Sequence, residues 1–331
     1  MFAIQVREDE ERTLMWERCT RPKARPGHVV IRVSASAVNR ADLLQRRGKY
    51  PVPKGASPIL GLEAAGVVEE LGEGVTDVRV GQRVAVLLEG GGYAEFVEAH
   101  AGMLLAVPDA MSLVDAAALP EVLYTAWLNI WMEGAAQPGE RVVVHAGASG
   151  VGTAAIQLCQ VMGNPCYATA SAAKLDRLRA LGADGVFDRR SDTLWSDLRD
   201  AIGAPGADVI LDPVGAAYLA QNVDLLAHQG RLVVIGLLGG ARGELPIGTL
   251  LMRRLRVLGS VLRSRSREEK LEITASLRER VWPHVANGSV RPIVQAIIPM
   301  REAAEAHRLI ASNETFGKVV LEVQSTTMES E

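Results

Sequence analysis

The spacing of apolar and polar positions changes its period near residue 120. Before that point short apolar runs alternate with polar residues and are punctuated by glycines: HVVIRVSASAV (28–38), LEAAGVVEEL (62–71), QRVAVLLEGG (82–91) and YAEFVEAH (93–100). Period-two alternation between Gly-rich breaks predicts half-buried strands, here those of a twisted antiparallel β domain. The opening MFAIQVREDEERTL alternates in the same way before it turns acidic.

After Pro120 helical stretches of ten or more residues alternate with short strands: RVVVH (141–145), CYAT (166–169), VFD (186–188), ADVILD (207–212), RLVVIG (231–236) and RVLGSVL (256–262). Strands separated by helices need crossover connections, so they lie parallel in one sheet. Six of them predict a doubly wound α/β domain, entered close to Glu121. Gly163 and Gly182 stand where left-handed helix caps are wanted, and Ser191 and Asp192 stand where the next helix opens. Near the end a helical stretch, REAAEAHRLIAS (301–312), precedes a strand, KVVLEV (318–323), whose alternation suits the first domain's sheet. The first domain is therefore expected to be discontinuous, 1–120 with 289–331 returning to it, around a second domain of 121–288.

A chain of 331 residues that is 48% hydrophobic can bury two cores, which excludes a disordered protein. Its formal net charge of -3 offers no single-sign field, so neither nucleic acid nor a membrane surface is an expected partner. Cys19, Cys159 and Cys166 lack the spacing of a disulfide framework or a zinc knuckle and suit a reducing cytoplasm. The N-terminus has no basic start followed by an apolar run, so no signal peptide is expected. The longest apolar stretch, Leu232 to Ala241, is half of the ~20 residues that span a bilayer. The histidines, at 28, 100, 145, 228, 284 and 307, form no i, i+4 pair and read as core or surface residues. The SREEK run (266–270) reads as a solvated helix face.

Candidate chemistry centres on RVVVHAGASGVGTAAIQLCQ (141–160), a strand, a Gly-rich turn and a helix. Aligned on G-x-G-x-x-G, Gly147 and Gly152 take the outer positions and Ser149 the middle one, with Gly150 beside it. The helix would aim unpaired N–H groups and its positive end at a pyrophosphate held by Gly147, Ala148, Ser149, Gly150, Val151 and Gly152. A serine hydrolase is rejected, because Val151 stands where a G-x-S-x-G elbow needs glycine. The second strand ends in Ala168-Thr169-Ala170-Ser171 with no carboxylate to grip a ribose 2′-OH. Ser171, Lys174 and Arg189 can instead approach a 2′-phosphate, which favours NADPH; Lys174 and Arg189 read equally well as solvated charges.

SAVNRADLLQRRGKYPVPKGAS (36–57), ILGLEAAGVVEELGEGV (59–75), ALPEVLYTAW (118–127), HAGASGVGTAAIQL (145–158), GLLGG (236–240), LRSR (262–265) and GKVVLE (317–322) together resemble the zinc-free quinone oxidoreductases of the medium-chain dehydrogenase/reductase family. Within that family the chain is most similar to the p53-inducible quinone oxidoreductase group. The resemblance implies a Rossmann domain beside a GroES-like catalytic domain, NADPH as cofactor, and a homodimer in which two edge strands, here RVLGSVL, pair. It implies Tyr50 and Asn39 as donors to the quinone oxygen, Ser149 near the nicotinamide, Thr125 along the pocket, and Gly236, Leu238, Gly317 and Lys318 as further cofactor contacts. Tyr50 also reads as a loop anchor and Asn39 as a backbone brace. Relatives that are alcohol dehydrogenases hold a catalytic zinc at positions that look like Asn39, Leu62 and Glu121, and leucine cannot ligate a metal. Their structural-zinc lobe has no cysteine in the matching stretch (87–102) here. A tyrosine that contacts the 2′-phosphate in relatives is replaced by Arg189.

Hydride addition to a simple ketone develops a basic alkoxide that zinc stabilises, whereas a quinone yields a delocalised phenolate for which hydrogen-bond donors suffice. The expected activity is NADPH-dependent quinone reduction without a metal. Two alternatives stay open: an NADPH-dependent enoyl reductase acting on 2-alkenals or 2-enones, and a non-enzymatic NADPH-binding protein.

Overall fold

The computed structural model describes residues 1–324. Its strands are, in chain order, β1 (Phe2–Val6), β2 (Leu14–Arg18), β3 (His28–Ala37), β4 (Glu63–Leu71), β5 (Arg83–Leu87), β6 (Phe96–His100), β7 (Leu104–Ala106) and β8 (Val142–Val144). They continue with β9 (Cys166–Ala170), β10 (Gly185–Asp188), β11 (Ala207–Asp212), β12 (Leu226–Val234), β13 (Arg256–Gly259), β14 (Val294–Pro299) and β15 (Lys318–Glu322). The α-helices are α1 (Arg40–Arg46), α2 (Leu113–Ala116), α3 (Pro120–Trp127), α4 (Gly150–Met162), α5 (Leu175–Ala180) and α6 (Leu194–Ile202). After these come α7 (Leu219–Leu225), α8 (Ile247–Met252), α9 (Arg267–Arg280), α10 (Trp282–Ala286) and α11 (Ala303–Ala311).

The chain divides into two compact units: Met1–Glu121 with Ser266–Arg278 and the residues from Pro292 on, and Val122–Arg265 with Glu279–Arg291. In the first unit the main sheet runs β14-β15-β3-β4-β5-β7, with β6 also on β3. β15 lies antiparallel to β3, with Val320 opposite Ala37, and parallel to β14. Alanines 35, 37, 65 and 85 on this sheet, with Val320, pack against Ala116–Ala118 around α2 in a core of small side chains. Residues 325–331 of the returning segment lie outside the described residues.

One stretch expected in the second domain clusters with the first unit instead. The SREEK run opens α9, where Ser266 Oγ accepts from the Glu269 N–H at 3.2 Å and a Glu269 carboxylate oxygen accepts from the Ser266 N–H at 2.8 Å. Ser266 to Glu269 are exposed as expected, but Lys270 is not: it heads a buried stripe of α9, Lys270, Ile273, Thr274 and Leu277, at i, i+3, i+4, i+7 spacing. The Lys270 ammonium pairs with Glu89, and Arg278 donates to the Leu104 carbonyl, so α9 is tied to the β domain by its charged residues. Charge alone on a sequence cannot distinguish such a residue from a solvated one.

In the second unit all six strands are parallel in the order β10-β9-β8-β11-β12-β13. Numbered from β8, this is the 3-2-1-4-5-6 order of the doubly wound dinucleotide fold, whose ligand crevice opens at the C-terminal strand ends beside β8. Val143, Ile210 and Leu232 from three neighbouring strands share one core with Leu198 and Ile202 of α6 and Val223 and Leu225 of α7. Gly163 caps α4 at φ 73°, and Gly182 follows α5 at φ 102°, both left-handed as expected. β13 stops at Gly259, short of the stretch expected to run to Leu262, because its neighbour β12 ends at Val234 and leaves no further ladder. No helix among the described residues is long and apolar enough to cross a membrane.

Candidate dinucleotide site and the buried charges of the β domain

The phosphate turn leaves β8 at His145. Ala146 adopts φ 53°, a left-handed conformation that costs a non-glycine residue roughly 1 kcal/mol. The turn is fixed by Gly147 N–H on the Thr169 carbonyl, 2.8 Å, and Ser149 N–H on the Ala146 carbonyl, 2.9 Å. Ser149 is the N-cap of α4, its hydroxyl accepting from the Gly152 N–H at 3.0 Å. Gly152 has no room for a side chain: a Cβ there would lie 2.6 Å from the Ala146 carbonyl oxygen and from Gly147. Gly150 and Val151 open the helix, so their N–H groups lack intrahelical acceptors and are available to an anion. The turn therefore fits a nicotinamide dinucleotide's pyrophosphate in close packing, donor supply and dipole sense, with Ser149 as cap rather than as free hydroxyl.

The end of β9 carries the residues expected at a 2′-phosphate. Ser171 follows Ala170 directly, Lys174 lies one short turn on, and the Arg189 N–H donates to the Ala170 carbonyl at 2.7 Å. Asp188, next to Arg189 in the chain, accepts from the Arg190 N–H at 3.1 Å and so is engaged in its own turn. Arg189 is also close enough to Tyr218 to draw that phenol's pKa down, against the larger upward effect of burial. On the other flank of the crevice Gly236 follows β12, and a Cβ on it would lie 2.8 Å from the Pro213 carbonyl oxygen. The Leu238 N–H donates to that carbonyl at 3.2 Å, leaving the side chain 59% exposed. Thr125 is half-buried on α3, its carbonyl accepting from the Asn129 side chain at 2.7 Å.

Asn39, Tyr50, Gly317 and Lys318 belong to the first unit. Two of the roles expected for them need correction. The Lys318 ammonium is 5% exposed and contacts three acceptors, Glu63 Oε1 at 2.8 Å, Asn39 Oδ1 at 2.7 Å and the Val38 carbonyl at 2.9 Å. An ammonium has three N–H groups, so none is left for a cofactor. The Asn39 amide donates to Glu63 Oε1 at 2.8 Å and to the Ala37 carbonyl at 3.3 Å, which uses both of its N–H groups. Asn39 is thus a brace at the start of α1, not a donor to substrate. Gly317 sits at φ 86°, where a Cβ would be 2.1 Å from the Ile293 carbonyl oxygen; it lets β15 approach the segment leading into β14. Tyr50 is half-buried in the loop after α1.

Sequence reasoning missed the residues that organise this cluster. Glu63 is fully buried, and its other carboxylate oxygen accepts from the Glu121 N–H at 2.9 Å at the start of α3. Beside it Asp42, also fully buried, accepts from the N–H groups of Asn39 and Gly61 at 2.8 and 3.1 Å and from the Tyr93 hydroxyl at 3.1 Å. Tyr93 in turn lies 3.3 Å from His307 Nε2. The only available signal was a pair of acidic residues, Asp42 and Glu63, inside otherwise apolar patterns. Among the described residues no group of three His, Cys, Asp or Glu side chains is gathered as a metal would require, and Leu62 offers no donor atom.

The buried histidines predict a pH dependence. Burial pulls His145 down to about 4, and burial with nearby Arg46 and Arg47 pulls His307 down to about 3, against 6.5 when free. The unfolded chain then binds more protons than the folded one below pH ~6.5, so this stability is complete above that pH and is lost on acidification. Asp42, raised by burial to about 6 from 3.8, acts in the opposite sense, stabilising at low pH and losing that contribution as pH rises through 6. The two histidines outweigh it. The urea midpoint is expected to fall from pH 6.5 to 4.5, less steeply in His145→Phe, whose share is at most about 3 kcal/mol. A midpoint that rises over this range would refute the assignment.

Comparison with known proteins agrees with this geometry. Residues 25–109 match the family model described as alcohol dehydrogenase GroES-like domain, and residues 150–276 match that described as zinc-binding dehydrogenase. The chain is 30% identical over 319 residues to the human (Homo sapiens) synaptic vesicle membrane protein VAT-1 homolog, covering 91% of this chain and 80% of that protein. Among solved structures it is similar to an NAD-dependent alcohol dehydrogenase, with TM-score 0.85 and 31% identity over 98% of this chain and 100% of the other. It is similar to the CurK enoyl reductase, with TM-score 0.86 and 27% identity over 98% and 99% of the two chains. To the quinone oxidoreductase from Coxiella burnetii it has TM-score 0.80 and 28% identity over 98% and 99%. The parallel sheet with its phosphate turn, the β-rich unit and these likenesses together place the chain in the medium-chain dehydrogenase/reductase family, in its quinone oxidoreductase-like group, as an oxidoreductase whose fold implies a nicotinamide cofactor.

Proposed function

We propose that this protein reduces a quinone with NADPH and without a metal. The observation that carries the reading is the end of β9, where Ser171, Lys174 and Arg189 replace the acidic residue that would select an unphosphorylated ribose. When bound, the nicotinamide supplies a hydride. The chain supplies the N–H groups at the start of α4 for the pyrophosphate and cationic side chains for the 2′-phosphate. The Tyr50 hydroxyl is the donor proposed for the developing phenolate, a charge delocalised enough to be stabilised by hydrogen bonding alone.

A second reading has its own support: in fold, the likeness to an enoyl reductase, TM-score 0.86, exceeds that to a quinone oxidoreductase, TM-score 0.80. A panel of quinones, 2-alkenals and 2-enones with NADPH separates the two. Quinones are expected to turn over fastest; faster turnover of a 2-enone than of every quinone would reverse the assignment. Tight NADPH binding with no oxidation by any of them would leave a non-enzymatic binding protein.

We propose further that the working form is a homodimer. β13 is an edge of the parallel sheet, with Val261 beyond it and Ile247, Leu251 and Met252 of α8 exposed. An apolar edge of this kind needs covering, and a second copy of β13 supplies matching backbone groups. Light scattering at micromolar concentration is expected to give twice the mass of the chain, and a monomer would contradict this.

A further inference from the structure

Four buried polar side chains form a continuous chain across the C-terminal ends of β9, β8 and β11. Thr169, His145, Asn222 and Asp212 are each no more than 1% exposed. Asp212, the last residue of β11, accepts from the N–H groups of Val214 at 2.6 Å and Gly215 at 3.2 Å, and from the Asn222 amide at 3.2 Å. Asn222 Oδ1 lies 2.7 Å from His145 Nε2, and His145 Nδ1 lies 3.0 Å from the Thr169 hydroxyl. The direction of every bond follows from the carboxylate. Asp212 only accepts, so Asn222 turns its N–H to it and its carbonyl to His145; His145 must then donate from Nε2 and accept at Nδ1 from Thr169.

Each end of this chain holds a different loop of the crevice. At one end the Thr169 carbonyl carries the Gly147 N–H of the phosphate turn. At the other, the 213–215 loop held by Asp212 accepts from the N–H groups of Leu238 and Gly239, at 3.2 and 2.7 Å. A dinucleotide lies across such a crevice, its adenosine half at the end of the second strand and its other half beyond the first. It must meet both loops at once, and the sheet ladder alone does not set loops that begin where the strands stop.

We propose that His145 is a positioning residue for the dinucleotide, joining the phosphate turn to the 213–215 and 236–240 loops in the register that one bound cofactor spans. The inference rests on the nicotinamide-cofactor reading of this site. Nothing requires His145 to touch the ligand. Its ring packs edge-on against Tyr218 and Trp195, with centroids 4.9 and 5.8 Å away, so phenylalanine keeps the packing and deletes only the two hydrogen bonds.

The test measures binding to the intact protein by calorimetry, using whichever of NADPH and NADH the wild type binds more tightly and the matching adenosine half, adenosine 2′,5′-bisphosphate or AMP. His145→Phe is expected to weaken the whole dinucleotide tenfold or more while changing the adenosine half less than twofold, because only the former must meet both loops. Thr169→Val, nearly isosteric and without the hydroxyl, is expected to weaken the dinucleotide at least threefold, and Thr169→Ser to retain wild-type affinity; this pair carries the test if His145→Phe does not fold. Equal losses for both ligands would mark a general packing role, and unchanged affinities a spacer; either overturns the proposal. A wild type that binds neither nucleotide would instead overturn the cofactor reading itself, and this inference with it.

Discussion

Replacing Lys174 and Arg189 together by alanine is expected to shrink the preference for NADPH over NADH by about a hundredfold or more. A 2′-phosphate carries nearly two negative charges, and a hydrogen bond to a charged group contributes roughly 1.5–3 kcal/mol. Two such contacts therefore make a discrimination of at least ~3 kcal/mol, at about 1.4 kcal/mol per factor of ten. The change should appear as a raised NADPH Michaelis constant with that for NADH nearly untouched, since NADH has no phosphate for these side chains to meet. Arg189 keeps its place at the end of β9 in the variant, because its backbone N–H on the Ala170 carbonyl does not depend on the side chain. If the preference survives the double change, Ser171 or another group carries it, and the assignment of Lys174 and Arg189 is wrong.

The second large effect concerns the buried pair in the β domain. Glu63→Gln is expected to destabilise the protein by about 3–5 kcal/mol, the cost of leaving the Lys318 ammonium buried without a counter-charge. Glutamine keeps the shape but has one carbonyl oxygen where the carboxylate has two, so it can accept on the side of Asn39 and Lys318 or on the side of the Glu121 N–H but not on both, and that lost hydrogen bond adds to the cost of the stranded charge. The double change Glu63→Gln with Lys318→Met removes the stranded charge and is expected to be more stable than Glu63→Gln alone, despite carrying one more substitution. Urea denaturation of the two variants and the wild type decides the sign. A double variant less stable than the single one would mean that the pair matters through its hydrogen bonds rather than its charge.

Strand positions were legible wherever burial followed a simple period. ADVILD matches β11 to the residue because a strand in the sheet interior shows as an apolar stretch, and the stretches at β3 and β4 match to within one residue because strands of the β domain sit between Gly-rich breaks. β2, β7 and β14 were not recognised. β7 has only three residues, and β14, though its residues are largely apolar, buries only Ile298, so neither carries a buried-strand pattern to detect. The phosphate turn was legible for a different reason. Its chemistry is that of the backbone, which depends on a local run of small residues after a strand.

The sequence by itself determined the fold class, the order of elements and the place of the dinucleotide turn, since each depends on local periodicity or on residues adjacent in the chain. Only the tertiary structure decided what the polar side chains do. Asn39 and Lys318 were expected at the ligand, and folding brings Glu63, 24 residues from one, within hydrogen-bond reach of both. His145 had no pattern to mark it, yet its partners, 24 and 77 residues away, make it the link between two loops of the crevice. A polar group spends its hydrogen bonds on whatever the fold places beside it, and in a buried site that neighbour comes from anywhere in the chain.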